Sequence, residues 1–248
     1  MGLLDDLLAT LPAEEIPVRD VRVGAHWTAV CSRGCGLAAT FMAESNHGAQ
    51  QVRDAGNLHR KSAQELAGWL RSENPLEASI GLAAFNSLVQ VDERRVVEIN
   101  AFEYLEQRGA GKKIAVVGHF PHVERLAGIA GALWVLEKRP QPGDFPAEAA
   151  PELIPRADIV AITSSTLINH TLEGLLELCP PGALVMLLGP STPLVPLLFQ
   201  RGVSILSGTL IVDEAAALLT IQQGATYPQV QGARRVTLSR EDFPQLAA

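Results

Sequence analysis

The sequence predicts an α/β protein in two parts, a small α+β domain followed by a parallel-sheet domain, and three observations predict it. Before about residue 100 a helical stretch, an alternating hairpin and further helices succeed one another. After residue 109, short runs rich in β-branched residues alternate with helical patterns, the sequence form of a parallel sheet with crossovers. Between them EYLEQRGAGKK, residues 103–113, raises the polarity and inserts two glycines. That break divides the chain into residues 1–108 and residues 109–248.

Leu3, Leu4, Leu7, Leu8 and Leu11 mark a short amphipathic helix that Pro12 ends. Val21, Val23, Trp27 and Val30 precede a Ser-Arg-Gly turn, and Leu37, Thr40 and Phe41 follow it, which predicts two antiparallel strands. From Leu58 to Gln90 the period becomes helical, through Leu66, Trp69 and Leu70 and then Leu76, Ile80, Ala83, Ala84 and Leu88. Asn74-Pro75-Leu76-Glu77 reads as a helix start, with Asn74 as cap, Pro75 in first position and Glu77 reaching back to the cap. Asn86 comes two and a half helical turns after Glu77, on the opposite side of the helix, at ~100° per residue, so the two do not face one point. Cys31, Cys35 and Cys179 are read as reduced thiols: the first two flank the hairpin turn with no second cysteine pair to complete a metal site, and Cys179 falls on an apolar helix face.

In the second part the strands are expected at 113–117, 132–136, 158–163, 183–188 and 203–206, with a last one at 235–238. Pro121 suits the first position of a helix after the first strand. Ile168, Leu172, Leu175, Leu176 and Cys179 give the clearest helical spacing, and 213–223 is another helix. The proline-rich stretch 140–155 is a loop with a short helical turn.

The net charge of −7 disfavours a broad nucleic-acid surface, which needs clustered Lys and Arg, and suits an anionic membrane equally poorly. No apolar run approaches a bilayer span and the N-terminus has no basic flank, so the expectation is a soluble cytoplasmic protein. Its partner is a small molecule; nothing in the pattern fixes whether copies of the chain form a homo-oligomer.

Three strands of the parallel set end in polar, glycine-bearing turns: Gly118-His119-Phe120-Pro121-His122, Ser164-Ser165-Thr166-Leu167-Ile168-Asn169 and Gly189-Pro190-Ser191-Thr192-Pro193. In a parallel sheet all three share one edge, where ligands bind. Each is also expected to open a helix, so backbone N–H groups and hydroxyls would face a phosphate or carboxylate. The competing account is plain helix capping. Glu137 ends the second strand near the spacing at which an acidic residue binds ribose, although no G-x-G-x-x-G precedes it; this leaves a nucleoside such as S-adenosylmethionine, or simply a solvated glutamate. His119 and His122 bring two imidazoles to a strand end, as bases or as ligands of a divalent metal. His26, His47 and His59 are scattered and receive no role.

With EASIGLAA from Glu77 to Ala84, then GKKIAVVGHFPHVERL, GDFP, ADIVAITSST and LLGPSTPLVPLLF, the sequence resembles the heavy-metal chelation family over most of 77–213. The resemblance implies an enolase N-terminal-like domain followed by a Rossmann-like domain partly similar to methyltransferases, with the active site between them. It also implies that Glu77 faces a crevice formed by His119, Thr166 and Thr192, so His119 and Glu77 are the expected catalytic residues. The implied activity is a condensation or hydrolysis leading to flavins, pterins, siderophores or other metal chelators. A non-catalytic carrier of a metal or metal complex is the competing reading.

Overall fold

The computed structural model of the chain describes residues 2–42, 51–121 and 123–243. The first helix, α1 (Leu3–Ala9), buries Leu3 and Leu7 as its spacing requires. Three strands follow, β1 (Asp20–Val23), β2 (Trp27–Cys31) and β3 (Cys35–Ala39), in an antiparallel sheet of order β1-β2-β3. One strand more than expected forms here, because Gly24 and the residues after it make a tight turn that splits the Val21–Val30 stretch: the Gly24 N–H donates to the Trp27 carbonyl at 2.8 Å. The Ser-Arg-Gly turn sets Cys31 opposite Cys35 in the ladder, and the two are joined by a disulfide. The expectation of reduced thiols at these two positions is therefore corrected, since a hairpin this tight places the cysteines within bonding reach.

Helix α2 (Ala63–Ala67) and a 3-10 turn over Gly68–Arg71 pack on helix α3 (Pro75–Leu88), which itself packs on this sheet. Asn74 caps α3 as expected, its side chain accepting from the N–H groups of Leu76 and Glu77. Glu77 does not reach back to Asn74, whose N–H donates to the Ser72 hydroxyl instead. Eleven of the fourteen α3 residues are buried, so the helix is apolar nearly all round rather than amphipathic. A Cβ at Gly36 would overlap the backbone at Ala83 and Ser87, which is why β3 and α3 approach so closely there. Helix α4 (Ala101–Arg108) ends the first part of the chain.

The second part builds β4 (Lys113–Val117), α5 (Glu124–Ala127), β5 (Ala132–Glu137), β6 (Phe145–Pro146), α6 (Ala150–Leu153), β7 (Ile159–Thr163), α7 (Leu172–Glu177), β8 (Leu184–Leu188), α8 (Leu197–Gln200), β9 (Ile205–Ile211), α9 (Glu214–Gln222) and β10 (Ala233–Ser239). The sheet has seven strands in the order β10-β9-β8-β7-β4-β5-β6, parallel except for β10, which pairs antiparallel with β9. Alternation along each strand divides the buried residues between two faces. Ala115, Val160, Ile162, Val185 and Leu187 join one apolar core with Leu66, Leu82 and Phe85 of the first part. Ile114, Val116, Ile159, Ala161 and Met186 face the other side, where Leu105 of α4 and Leu126 of α5 cover them. By packing, residues 101–108 thus go with the large sheet.

Two helices differ from expectation. Pro121 lies in a turn and α5 starts only at Glu124. The spacing from Ile168 to Cys179 predicts one helix, but Ser164–Leu167 is a 3-10 turn, His170 takes a left-handed backbone (φ 59°), and α7 begins at Leu172. Side-chain-to-backbone bonds around Asn169, which accepts from both the Thr171 N–H and hydroxyl, compete with the helix there. The proline-rich stretch 140–155 contributes the edge strand β6 and the short α6. Among the described residues no helix is long and apolar enough to cross a membrane.

Candidate functional site at the sheet edge

The chain leaves β4 for β5 on one side and returns to β7 on the other, so the strand order reverses beside β4. In open α/β sheets the crevice outside the strand ends at such a reversal receives ligands. Gly118 and Gly189 end β4 and β8 with φ of 99° and 120°, a region side chains avoid, and this lets both turns fold back sharply. Above the edge opens a cleft of about 710 Å³ lined by Phe120, Pro121, Thr163, Ser164, Ser165, Leu188, Gly189, Pro190 and Ser191, and roofed from the small sheet by Trp27 and Ala39.

Aromatic rings dominate its walls. Trp27 and Tyr227 meet at 5.5 Å between ring centres, and Phe102 and Phe120 at 5.4 Å. Arg125 and Arg235 also line it, both exposed, and among the described residues neither has a carboxylate partner. The Arg235 guanidinium lies 4.9 Å from the centre of the Tyr227 ring.

Of the turn hydroxyls the sequence singles out, several are used by the protein itself. Thr166 donates to the Thr163 carbonyl at 2.6 Å and Thr192 to the Gly189 carbonyl at 2.8 Å, local side-chain-to-backbone bonds within their own turns. The Ser191 hydroxyl accepts from the Ala39 N–H at 2.8 Å, and its carbonyl accepts from the Asn86 amide at 3.0 Å. Those bonds tie the turn after β8 to β3 and α3 and so hold the two sheets together over the cleft. Ser164 and Ser165 remain on the cleft wall. Helix α8 starts at Leu197, so no helix opens directly from the Gly189–Pro193 turn.

A smaller chamber of about 340 Å³ adjoins the cleft and shares Phe120, Thr163 and Ser165 with it. Gly118, His119, Glu137, Thr166 and Asn169 line it, with Phe41 from the first part of the chain. The Glu137 carboxylate accepts from the N–H groups of His119 at 2.9 Å, Lys138 at 2.7 Å and Arg139 at 3.3 Å. It therefore fixes the turn after β4. His119 Nδ1 lies 2.9 Å from an oxygen of Asp144, a side chain only 5% exposed.

Glu77 lines neither space. Its buried carboxylate accepts from the Arg53 N–H and guanidinium and from the Ser72 hydroxyl at 2.7 Å. Burial alone would raise its pKa, but the bonds from Arg53 and Ser72 outweigh that and hold it below the usual value. Thr192 is buried beneath the turn. His122 lies outside the described residues, so the structure brings His119 together with Asp144 and says nothing of the histidine pair. Trp27, Phe102, Arg125, Asp144, Tyr227 and Arg235 are lining or contacting residues that sequence reasoning missed. They sit in segments far from one another in the chain, and only Asp144, within the GDFP stretch, and Trp27 carried any signal. Among the described residues no three His, Cys, Asp or Glu side chains are placed to share a metal ion, and the cleft walls carry hydroxyls, rings and cations instead. The described residues therefore do not fit a bare cation.

Fold and geometry together define a mixed α/β protein with a cleft at the edge of a mostly parallel sheet. Two family models, both described as "Putative heavy-metal chelation", match residues 100–240 and residues 4–89, the first being the DUF364 family. The chain belongs to this family. A solved structure of a DUF364 protein of unknown function from Desulfitobacterium hafniense DCB-2 is 31% identical, with a TM-score of 0.85 over 96% of this chain and 97% of that one. Another, from Pyrococcus horikoshii, shares the fold at 21% identity and a TM-score of 0.77 over 95% and 97% of the two chains. An uncharacterised protein of Methanocaldococcus jannaschii is 28% identical over 82% of this chain and 80% of its own length.

Proposed function

We propose that the protein binds a planar, anionic small molecule in the strand-edge cleft and acts on it there. One observation carries this reading: Arg125 and Arg235, which have no carboxylate partner among the described residues, line a cleft with aromatic rings in its walls. Arg19, Arg71, Arg201 and Arg234, by contrast, are all ion-paired. In a chain of net charge −7, two such guanidinium groups beside stacking surfaces suit a ligand with a flat body and a carboxylate or phosphate at its rim. Pterin, flavin and siderophore-type chelators have this form, and a condensation or hydrolysis on such a molecule is the activity we assign. The likeness to enolase-type N-terminal and Rossmann-type domains belongs to the same reading, as does a cytoplasmic setting.

Under this reading the heavy-metal description refers to what the ligand chelates. A metal would arrive already complexed, since the described residues offer it no cluster of their own. The nucleoside reading draws less support, because the Glu137 carboxylate is engaged by three backbone N–H groups. Native mass spectrometry with Zn²⁺ alone, with pterin-6-carboxylate alone and with both tests the proposal. We expect the organic anion to bind without metal, and metal to appear only with it. Stoichiometric binding of Zn²⁺ alone, lost on His119→Gln, would replace this reading by direct metal capture.

A further inference from the structure

We infer that His119 and Asp144 form a proton-transfer pair opening on the smaller chamber, with Asp144, to which sequence analysis assigns no role, as a positioning residue. The inference rests on the proposed small-molecule reading for its ligand, but not for its geometry. One Asp144 oxygen, Oδ2, receives both the Gln141 N–H at 3.0 Å and His119 Nδ1 at 2.9 Å. An ionised carboxylate can only accept, so Nδ1 is the donor to it, and in the neutral ring Nε2 then carries the lone pair. The backbone of His119 is held as well, because its N–H donates to Glu137. Ring and main chain are thus both anchored, and among the described residues Nε2 has no hydrogen-bond partner. The ring is 30% exposed, whereas the Asp144 side chain is 5% exposed. A buried carboxylate behind a partly open imidazole is the arrangement that fixes a tautomer and stabilises the imidazolium once a proton arrives.

The chamber's contact with the main cleft through Phe120 and Ser165 allows a ligand bound by its flat body to present one edge to His119. The ligand class is then a heteroaromatic with an ionisable ring N–H or O–H at that edge. In the step, the N–H or O–H bond breaks, its electron pair stays on the ligand, and the proton moves to Nε2; charge balances as ligand anion and imidazolium. Lys138 lines the same chamber. Return of the proton to another atom of the ligand completes an acid–base cycle without any other reactant.

The test is long-range proton–nitrogen NMR of the full chain labelled at histidine, without ligand, so that it is independent of whether the main cleft binds an anion. We expect wild-type His119 in the Nδ1–H tautomer with a bare Nε2, and in Asp144→Asn a change of the tautomer ratio by roughly tenfold or more, the worth of one charge-assisted hydrogen bond. Diethyl pyrocarbonate should modify Nε2 of wild-type His119, located by peptide mapping. An Nε2–H tautomer in the wild type, or an unreactive His119 in folded protein, overturns the inference. So does an unchanged tautomer in Asp144→Asn that retains the wild-type spectrum elsewhere, since a purely structural His119 would not depend on that carboxylate.

Discussion

Along α3 the fold uses nearly all the polar chemistry it contains, whereas at the ends of β4, β7 and β8 it leaves part of that chemistry facing a cleft. Glu77 is enclosed by Arg53 and Ser72, the Ser79 hydroxyl donates to the Pro75 carbonyl and receives the Phe41 N–H, and Ser87 is bonded to Ser32. At the strand ends, Arg125, Arg235, Ser164 and the rings of Trp27 and Phe120 line open space. Both regions carry serines and further polar residues by sequence. The difference teaches that the functional surface is what remains after capping, pairing and packing have taken their share.

The comparison is broken most severely by changing the α3 seam. Gly36→Ala places a methyl into the backbone of Ala83 and Ser87, and we expect a loss of about 3 kcal/mol, read as a drop in thermal midpoint. Glu77→Ala comes next, at about 2 kcal/mol, because it removes the buried carboxylate that accepts from Arg53 and Ser72. Its folded pKa lies below the usual 4.5, so the stabilisation is fully present above that value and is lost as pH falls through the lower folded pKa. Thermal midpoints measured from pH 6 downward should therefore fall more steeply in the wild type than in Glu77→Gln. At the cleft the expectation reverses: Arg125→Ala and Arg235→Ala should each change stability by no more than about 0.5 kcal/mol, as calorimetry can verify. A large loss at either arginine would move it to the structural side of the comparison.

Much of the large sheet was legible because a strand covered on both faces is a continuous apolar run, as at Ile114 to Val117. Helices at the edge were less so. Ile168 and Cys179 share a helical period, yet the local bonds of Asn169 and Thr171 break the helix between them, a competition that hydrophobic spacing does not record. For the cleft, the glycines and hydroxyls of the sequence point to the sheet edge where it opens, but do not separate Thr166 and Thr192, whose hydroxyls donate to carbonyls of their own turns, from Ser164 and Ser165, which line the cleft. Tyr227 and Arg235 were invisible for a different reason. Arg235 reaches the cleft from β10, which pairs antiparallel with β9, and Tyr227 from the 3-10 turn Tyr227–Gln229 that precedes it, a tertiary arrangement with no local signature.

The central claim is that unpaired cations and aromatic walls make this cleft a site for flat anions. Equilibrium dialysis of the protein against a bacterial metabolite extract, followed by mass spectrometry of what is retained, tests it directly when the wild type is run beside the Arg125→Ala/Arg235→Ala double variant. The account predicts that the wild type enriches one or a few aromatic carboxylates or phosphates, and that the equally stable double variant retains them at least about tenfold less, the worth of a lost charge-assisted hydrogen bond. Enrichment of nothing, or equal retention by both proteins, would contradict it.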